Sequence, residues 1–355
     1  MLNVIDLFSG VGGLSYGFKK AGYNILLSNE IDPVIAAAYK RNHENVQMIN
    51  EDITKIELTS FKHFIGMTDV IVGGPPCQGF SQKGRRALLE DDRNYLFKHF
   101  YKMVEYIRPK YFLMENVPNI LTANNKHFFN LIYELFYDLG YQMDSKTLNA
   151  SDYGVPQSRR RAFIIGKFEG FLGLPESNNS SVTALEAISD LAFLNSGEGQ
   201  EIQEYRLKPV NEYQRLLRDD MSELRNHVAT NHSSLAIERM KLIPKGKGRE
   251  VLPKEHLTKS IYSGTWGRIL EDKPSVTITT RFDTPSSGRF THPYLNRAIT
   301  VREAARLQSF PDSFIFYGPK TSQMKQVGNA VPPILAYEIA KAIRSDIMKK
   351  EIISV

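Results

Sequence analysis

The chain has 355 residues, 42% hydrophobic and 24% charged, the balance of a soluble globular protein with enough sequence for two domains or one with a large insertion. A single cysteine excludes an intramolecular disulfide, no run reaches the ~18 apolar residues of a membrane span, and the first residues lack the basic, apolar and cleavage regions of a secretory signal. A cytoplasmic protein without membrane contact is therefore expected. The net charge of +6 and pI near 9.1 hint at a polyanionic partner, although ordinary enzymes can be as basic.

Asn3-Val4-Ile5-Asp6-Leu7-Phe8 reads as a short apolar strand ending in Ser9-Gly10-Val11-Gly12-Gly13, after which Leu14, Phe18 and Ala21 recur at helical spacing. Ile25 to Ser28 is a second strand, ending at Asn29-Glu30, and Val46 to Ile49 a third, ending near Asp52. Asp69 to Val72 is a fourth, running into Gly73-Gly74-Pro75-Pro76-Cys77-Gln78-Gly79-Phe80-Ser81; Tyr111 to Met114 is a fifth, ending at Glu115-Asn116. Each polar feature follows the C-terminal end of a strand, where open α/β sheets bind ligands. The alternation predicts an α/β fold, doubly wound, with a mostly parallel sheet.

From about Gly170 the sequence becomes polar, turn-rich and irregular, as in Pro244-Lys245-Gly246-Lys247-Gly248-Arg249, which predicts a second, smaller domain. After Val331-Pro332-Pro333, the spacing of Ile334, Leu335, Tyr337, Ile339 and Ile343 predicts a helix that packs back on the sheet domain. The expected limits are 1–175 for the sheet domain, 176–320 for the smaller domain with a variable region at about 185–290, and 321–355 for the returning segment.

The turn Gly10-Val11-Gly12-Gly13 lets backbone approach a ligand, and Glu30, 20 positions after Gly10, is placed for a ribose hydroxyl pair. A dinucleotide fingerprint wants Gly or Ala where Ser15 stands. Asp32 and Asp52 at strand ends also suit a nucleoside cofactor without a pyrophosphate; a plain tight turn with solvated acids is the alternative. Cys77 could be a small buried hydrophobe. Its loop, stiffened by Pro75 and Pro76 between flexible glycines, is nevertheless suited to present a thiolate, with Lys83, Arg85 and Arg86 near enough in sequence to lower its pKa. No histidine motif for a cysteine hydrolase accompanies it.

Six segments occur in order: Asp6 to Gly13, Pro75 to Ser81, Glu115-Asn116-Val117, Gln157-Ser158-Arg159-Arg160-Arg161, Arg302 to Gln308, and Gln326 to Pro333. Together they resemble the ordered motifs of the DNA (cytosine-5)-methyltransferases of the prokaryotic or phage modification type, from residue 6 to about 340. The resemblance implies the S-adenosylmethionine-dependent methyltransferase fold, with the smaller domain recognising the target. It also implies transfer of the methyl group of S-adenosyl-L-methionine to carbon 5 of a cytosine flipped out of double-stranded DNA. By position, Cys77 is the nucleophile on carbon 6, Glu115 the acid at the N3 edge with a raised pKa, Arg161 the ligand of the cytosine O2 and Arg159 its support.

The same correspondence assigns Phe8, Gly10, Val11 and Gly13 to the methionine and adenosine side of the cofactor, and Glu30 to the ribose. Ile31 takes the adenine face, Asp52 and Ile53 its edge, Pro75 and Leu96 the floor, and Asn329 returns from the C-terminal segment. Gln78, Ser81, Lys83, Arg85 and Arg86 are DNA-binding candidates on the nucleophile loop, and Arg268, Thr277, Thr279 and Arg281 are candidate readers or positioners. No metal is called for. A cognate restriction endonuclease is a possible functional partner. An RNA-methylating relative, a non-catalytic DNA-binding regulator on the same scaffold and a dinucleotide oxidoreductase are the alternatives; the last leaves Cys77 and the C-terminal motif unexplained.

Overall fold

In the computed structural model, residues 1–76, 95–122, 126–218, 220–258 and 264–353 are described. They divide into two units: Met1–Asn149, Arg160–Ser177 and Pro333–Val355 make the first, and Ala150–Arg159 with Asn178–Pro332 the second. This differs from the expected limits in two places. Residues 150–159 belong to the second unit, because Gln157 Nε2 bonds the Leu307 carbonyl and Arg159 bonds the carbonyls of Ile278 and Gly328 there. The return to the first unit begins at Pro333 rather than near 321.

In the first unit, β1 (Leu2–Leu7), α1 (Gly13–Lys20), β2 (Tyr23–Asn29), α2 (Pro33–Asn42), β3 (Gln47–Ile49) and β4 (Val70–Gly73) follow the predicted alternation. Then come α3 (Tyr95–Ile107), β5 (Tyr111–Asn116), α4 (His127–Asp138), β6 (Tyr141–Asn149) and β7 (Arg160–Phe168). The sheet order is β3-β2-β1-β4-β5-β7-β6. All pairings from β3 to β5 are parallel, and β7 alone runs against its neighbours. The order reverses between β1 and β4, which puts a ligand crevice at the carboxyl ends of those two strands.

Because side chains alternate across a strand, Ile5, Leu7 and Ile71 enter one core layer with Phe97, Phe100, Phe112 and Phe136, while Val4 and Asp6 point to the opposite face. Phe112 and Phe136 stack at 4.2 Å in that core. On the α1 side, the C-terminal helix Pro333–Ile353 comes so close that a Cβ on Gly17 would lie 2.5 Å from Ala336 Cβ. Tyr23 and Arg344 fasten the same contact through the Ala340 and Ala21 carbonyls.

The second unit carries α5 (Ala184–Ile188), the antiparallel pair β8 (Ile202–Glu204) and β9 (Glu223–Arg225), α6 (Glu212–Arg218), α7 (Ser234–Lys241), α8 (Val301–Leu307) and α9 (Lys320–Asn329). The segment Arg302 to Gln308 is buried there as a charged hub. Arg306 forks onto Asp312 at 2.6 Å with both nitrogens and reaches Asp190 at 3.2 Å, and Arg297 forks onto Glu303 at 2.7 and 2.6 Å. Paired and bonded this fully, the buried charges are tolerated, whereas removal of one partner would strand the other. No helix among the described residues is long and apolar enough to cross a membrane.

Candidate active site

At the end of β1, Phe8 holds a left-handed φ of 56°, a conformation an aromatic residue rarely takes and one that clusters at functional sites. Gly10 follows with φ 56°, and a Cβ placed on it would meet nothing within 4 Å among the described residues. The turn therefore opens onto space that backbone can share with a ligand. Val11 and Gly13 are buried behind it.

Glu30 directly follows β2, opposite this turn, and is held by two backbone amides, Gly10 N to Oε2 at 3.0 Å and Asp32 N to Oε1 at 2.8 Å. Burial raises its carboxyl above the ordinary range, against those amides, which lower it. Each oxygen keeps a lone pair, so a preset carboxylate faces the turn. Asn50, not picked out from sequence, donates to the Glu30 and Ile31 carbonyls at 2.8 and 3.1 Å. Ile31 is 62% exposed, an apolar side chain without cover.

Asp52 accepts from Thr54 N at 3.0 Å and is held below the usual carboxylate range by the backbone and side chain of Thr54, while Ile53 is buried beside it. Asp32 caps α2 through its Oδ1, which accepts from Val34 N and Ile35 N at 2.9 and 3.2 Å. Leu96, half-buried on α3, packs against the core with Phe8.

The second cluster lies at the ends of β4, β5 and β7. Glu115 pairs with Phe163 across β5 and β7, so Arg161, two residues from Phe163, projects from the same face. Its Nε lies 3.0 Å from Glu115 Oε1, with both side chains mostly buried. Arg161 Nη1 donates to the Arg160 carbonyl at 2.8 Å, which leaves Nη2 without a partner among the described residues. On the other side of the carboxylate, a Cβ on Gly74 would stand 3.0 Å from Glu115 Oε2. Asn116, also missed as a site residue, donates to the Pro75 carbonyl at 2.9 Å and accepts from Val117 N at 2.9 Å, tying the exit of β4 to the exit of β5.

Cys77, Gln78, Ser81, Lys83, Arg85 and Arg86 lie outside the described residues. Arg159 and Asn329 are in the second unit, Arg159 buried and Asn329 exposed at the end of α9. Arg268 corrects the expectation of a DNA reader. Its guanidinium is buried, and all five N–H groups are engaged by the carbonyls of Ile243, His292, Leu295 and Met240 and by Asn296 Oδ1, at 2.6 to 3.0 Å. Thr277 bonds the Ser158 carbonyl at 2.8 Å and Thr279 the Arg281 carbonyl at 2.9 Å, whereas the Arg281 side chain is exposed beside Asp283 at 3.5 Å.

Residues 2–345 match the family model of the C-5 cytosine-specific DNA methylases. The type II methyltransferase M.DdeI of Desulfomicrobium norvegicum is 41% identical over 371 residues, 96% of this chain and 88% of the relative. M1.HphI of Haemophilus parahaemolyticus is 39% identical over 348 residues, 96% of this chain and 86% of its own. Among solved structures, an E. coli prophage protein assigned to the DNA modification methyltransferases matches with a TM-score of 0.80 and 29% identity, over 98% of this chain and 100% of that one. The sheet is thus that of the S-adenosylmethionine-dependent methyltransferases. A match of this extent assigns the chain to the C-5 cytosine-specific DNA methylase family, as a DNA (cytosine-5) methyltransferase.

Proposed function

We propose that the enzyme methylates carbon 5 of a cytosine rotated out of duplex DNA within a short specific sequence, using S-adenosylmethionine and a transient covalent bond from Cys77. The observation that carries this reading is the Glu115–Arg161 pair, at 3.0 Å, beside the strand exit that leads into Pro75-Pro76-Cys77. An acid and a guanidinium side by side suit the N3 and O2 edge of a pyrimidine, whereas a plain surface ion pair needs neither burial nor a glycine packed against it.

The first cluster fits the cofactor. Glu30, preset by Gly10 and Asp32, suits a vicinal diol; Asp52, kept ionised and acceptor-only, suits an exocyclic amine; exposed Ile31 suits a ring face. Phe8 and the open space over Gly10 take the remainder. Bound there, S-adenosylmethionine supplies an electrophilic methyl group.

The chain's residues do the rest. The Cys77 thiolate adds to carbon 6 while Glu115 gives a proton to N3 and Arg161 holds O2, so charge does not build on the ring. Carbon 5, now an enamine carbon, takes up the methyl group. The hydrogen on carbon 5 then leaves as a proton to solvent, the sulfur departs by elimination, and N3 returns its proton to Glu115. Attack on carbon 6 requires the ring face, which is stacked in a duplex, and this supports base flipping. The two type II relatives support a role as modification partner of a restriction endonuclease.

The test is nucleoside analysis of duplex DNA after reaction with methyl-labelled S-adenosylmethionine. Label in 5-methyldeoxycytidine is expected; label on the exocyclic amine, or on RNA alone, would overturn the reading.

A further inference from the structure

Ser15 stands where a dinucleotide-binding turn carries Gly or Ala, and the structure gives its hydroxyl a different task. Asp6 on β1 is fully buried on the face turned away from the aromatic core. Ser15 Oγ on α1 lies 2.6 Å from Asp6 Oδ2 and 2.7 Å from the Tyr39 hydroxyl on α2, and Ser28 Oγ on β2 donates to that same hydroxyl. The Ser15 proton is committed to Asp6, so Tyr39 donates to Ser15 and accepts from Ser28. The result is a one-way chain, Ser28 to Tyr39 to Ser15 to Asp6, across two strands and two helices.

Asp6 Oδ1 has no partner among the described residues, which leaves the chain anchored on one carboxyl oxygen. Burial pushes the Asp6 carboxyl up to about 7; the Ser15 bonds oppose this and nearby Glu30 adds to it. Tyr39 also touches the turn. Gly12 has φ 96°, and a Cβ there would lie 2.8 Å from Tyr39 Cε2 and 2.4 Å from His43 Nε2, so the backbone turn rests on those two rings.

We propose that Asp6, Ser15, Tyr39 and Ser28 are positioning residues that hold the turn Phe8–Gly13 in its cofactor-binding conformation, with Tyr39 the joint between the buried chain and the turn. The inference rests on that turn being the S-adenosylmethionine site. None of the four is placed to touch the reacting atoms. Their loss should therefore act on cofactor affinity ahead of turnover.

The experiment is calorimetric titration of the full-length protein with S-adenosylmethionine, beside steady-state methylation of duplex DNA, well below the melting temperature of each variant. Tyr39→Phe keeps the ring under Gly12 and removes the hydroxyl. Its Kd and cofactor KM should rise about five- to tenfold, the loss of one or two buried hydrogen bonds, while kcat falls less than threefold. Ser28→Ala, at the far end of the chain, should raise Kd about two- to threefold; it and Ser15→Ala carry the test if Tyr39→Phe does not fold. Lower melting temperatures with Kd within experimental error of wild type would overturn the proposal and leave the chain a packing feature. Wild-type protein that fails to bind S-adenosylmethionine would instead remove the cofactor reading, and this inference with it.

Discussion

Arg161 Nε lies 3.0 Å from Glu115 Oε1 across two antiparallel strands, in a pair that neither residue forms by sequence proximity. The guanidinium lies against one oxygen of the carboxylate, and among the described residues its Nη2 is left for a second acceptor. Glu115→Gln removes the acid and should lower kcat by about 10²- to 10³-fold. Arg161→Ala loses both the orientation of Glu115 and the O2 contact, with a loss of similar size. Rapid-quench methylation checks both, and retention of more than a tenth of wild-type turnover by either variant would contradict the pairing's role.

Gly74 is the other wall of the same carboxylate. A methyl group there would press to 3.0 Å on Glu115 Oε2, the movable end of a side chain, so the protein should fold with little loss of stability while the acid shifts. Gly74→Ala is expected to lower kcat by roughly tenfold, the sensitivity of catalysis to small misplacement, with a melting temperature close to wild type. Calorimetry and turnover together decide it; unchanged turnover would mean that the carboxylate has room to spare.

Arginines 268 and 281 should separate cleanly. Arg268→Ala strips the partner from four carbonyls and Asn296 and should cost about 3 kcal/mol or more in stability, read by urea unfolding. Arg281→Ala touches an exposed side chain, so stability should hold. DNA affinity should fall, and its dependence on the logarithm of salt concentration should become shallower by about one charge. The reverse assignment of effects would contradict the burial of Arg268.

Much of the site can be read along the chain because strand ends deliver it. β1 to β5 are apolar runs closed by a glycine turn or an acid, and Glu30, Glu115 and the Cys77 loop all sit at such ends. β6 is harder: Asp144, Ser145, Lys146 and Thr147 are half-buried on an edge strand and give no apolar run, and Arg160 and Arg161 disguise the start of β7, although Phe163-Ile164-Ile165 is a signal that could have revealed it. The Asp6 chain joins residues from four elements and has no local pattern. Arg268 looks like a reader in sequence because its cage of carbonyls, from residues 240–243 and 292–296, exists only after folding.

Acid should destabilise the protein through its buried imidazoles. Burial pushes the imidazoles of His43 and His292 down to about 3 and that of His227 to about 4, so below pH 6.5 the unfolded chain binds protons that the native one refuses. Stability from these groups is therefore lost as pH falls from 6.5 toward 4, about 3 kcal/mol for His227 alone. Asp6, raised to about 7 by burial, contributes the opposite slope, as do Glu30 and Asp190, whose carboxyls burial also raises, while His99 and His232, also lowered by burial, add to the slope of the other imidazoles. Glu303 would be raised by burial, but Arg297 holds it down to about 2, so that pair stays charged through the window. Urea midpoints between pH 4 and 7 check the sign. His292→Asn, whose Oδ1 can replace Nδ1 as acceptor from Tyr294 and Leu295, should flatten the slope.

The most direct test of the proposed chemistry is a trap. After methyl transfer the Cys77 adduct collapses only if the substituent left on carbon 5 can depart as a proton, and fluorine cannot. Duplex DNA with 5-fluorocytosine at the target, incubated with the enzyme and S-adenosylmethionine, should give a stable protein–DNA complex. Mass spectrometry should place the methylated base on the peptide containing Cys77, and Glu115→Gln should slow its formation. An adduct on another residue, or none with an enzyme that methylates the ordinary site, would contradict covalent catalysis through Cys77.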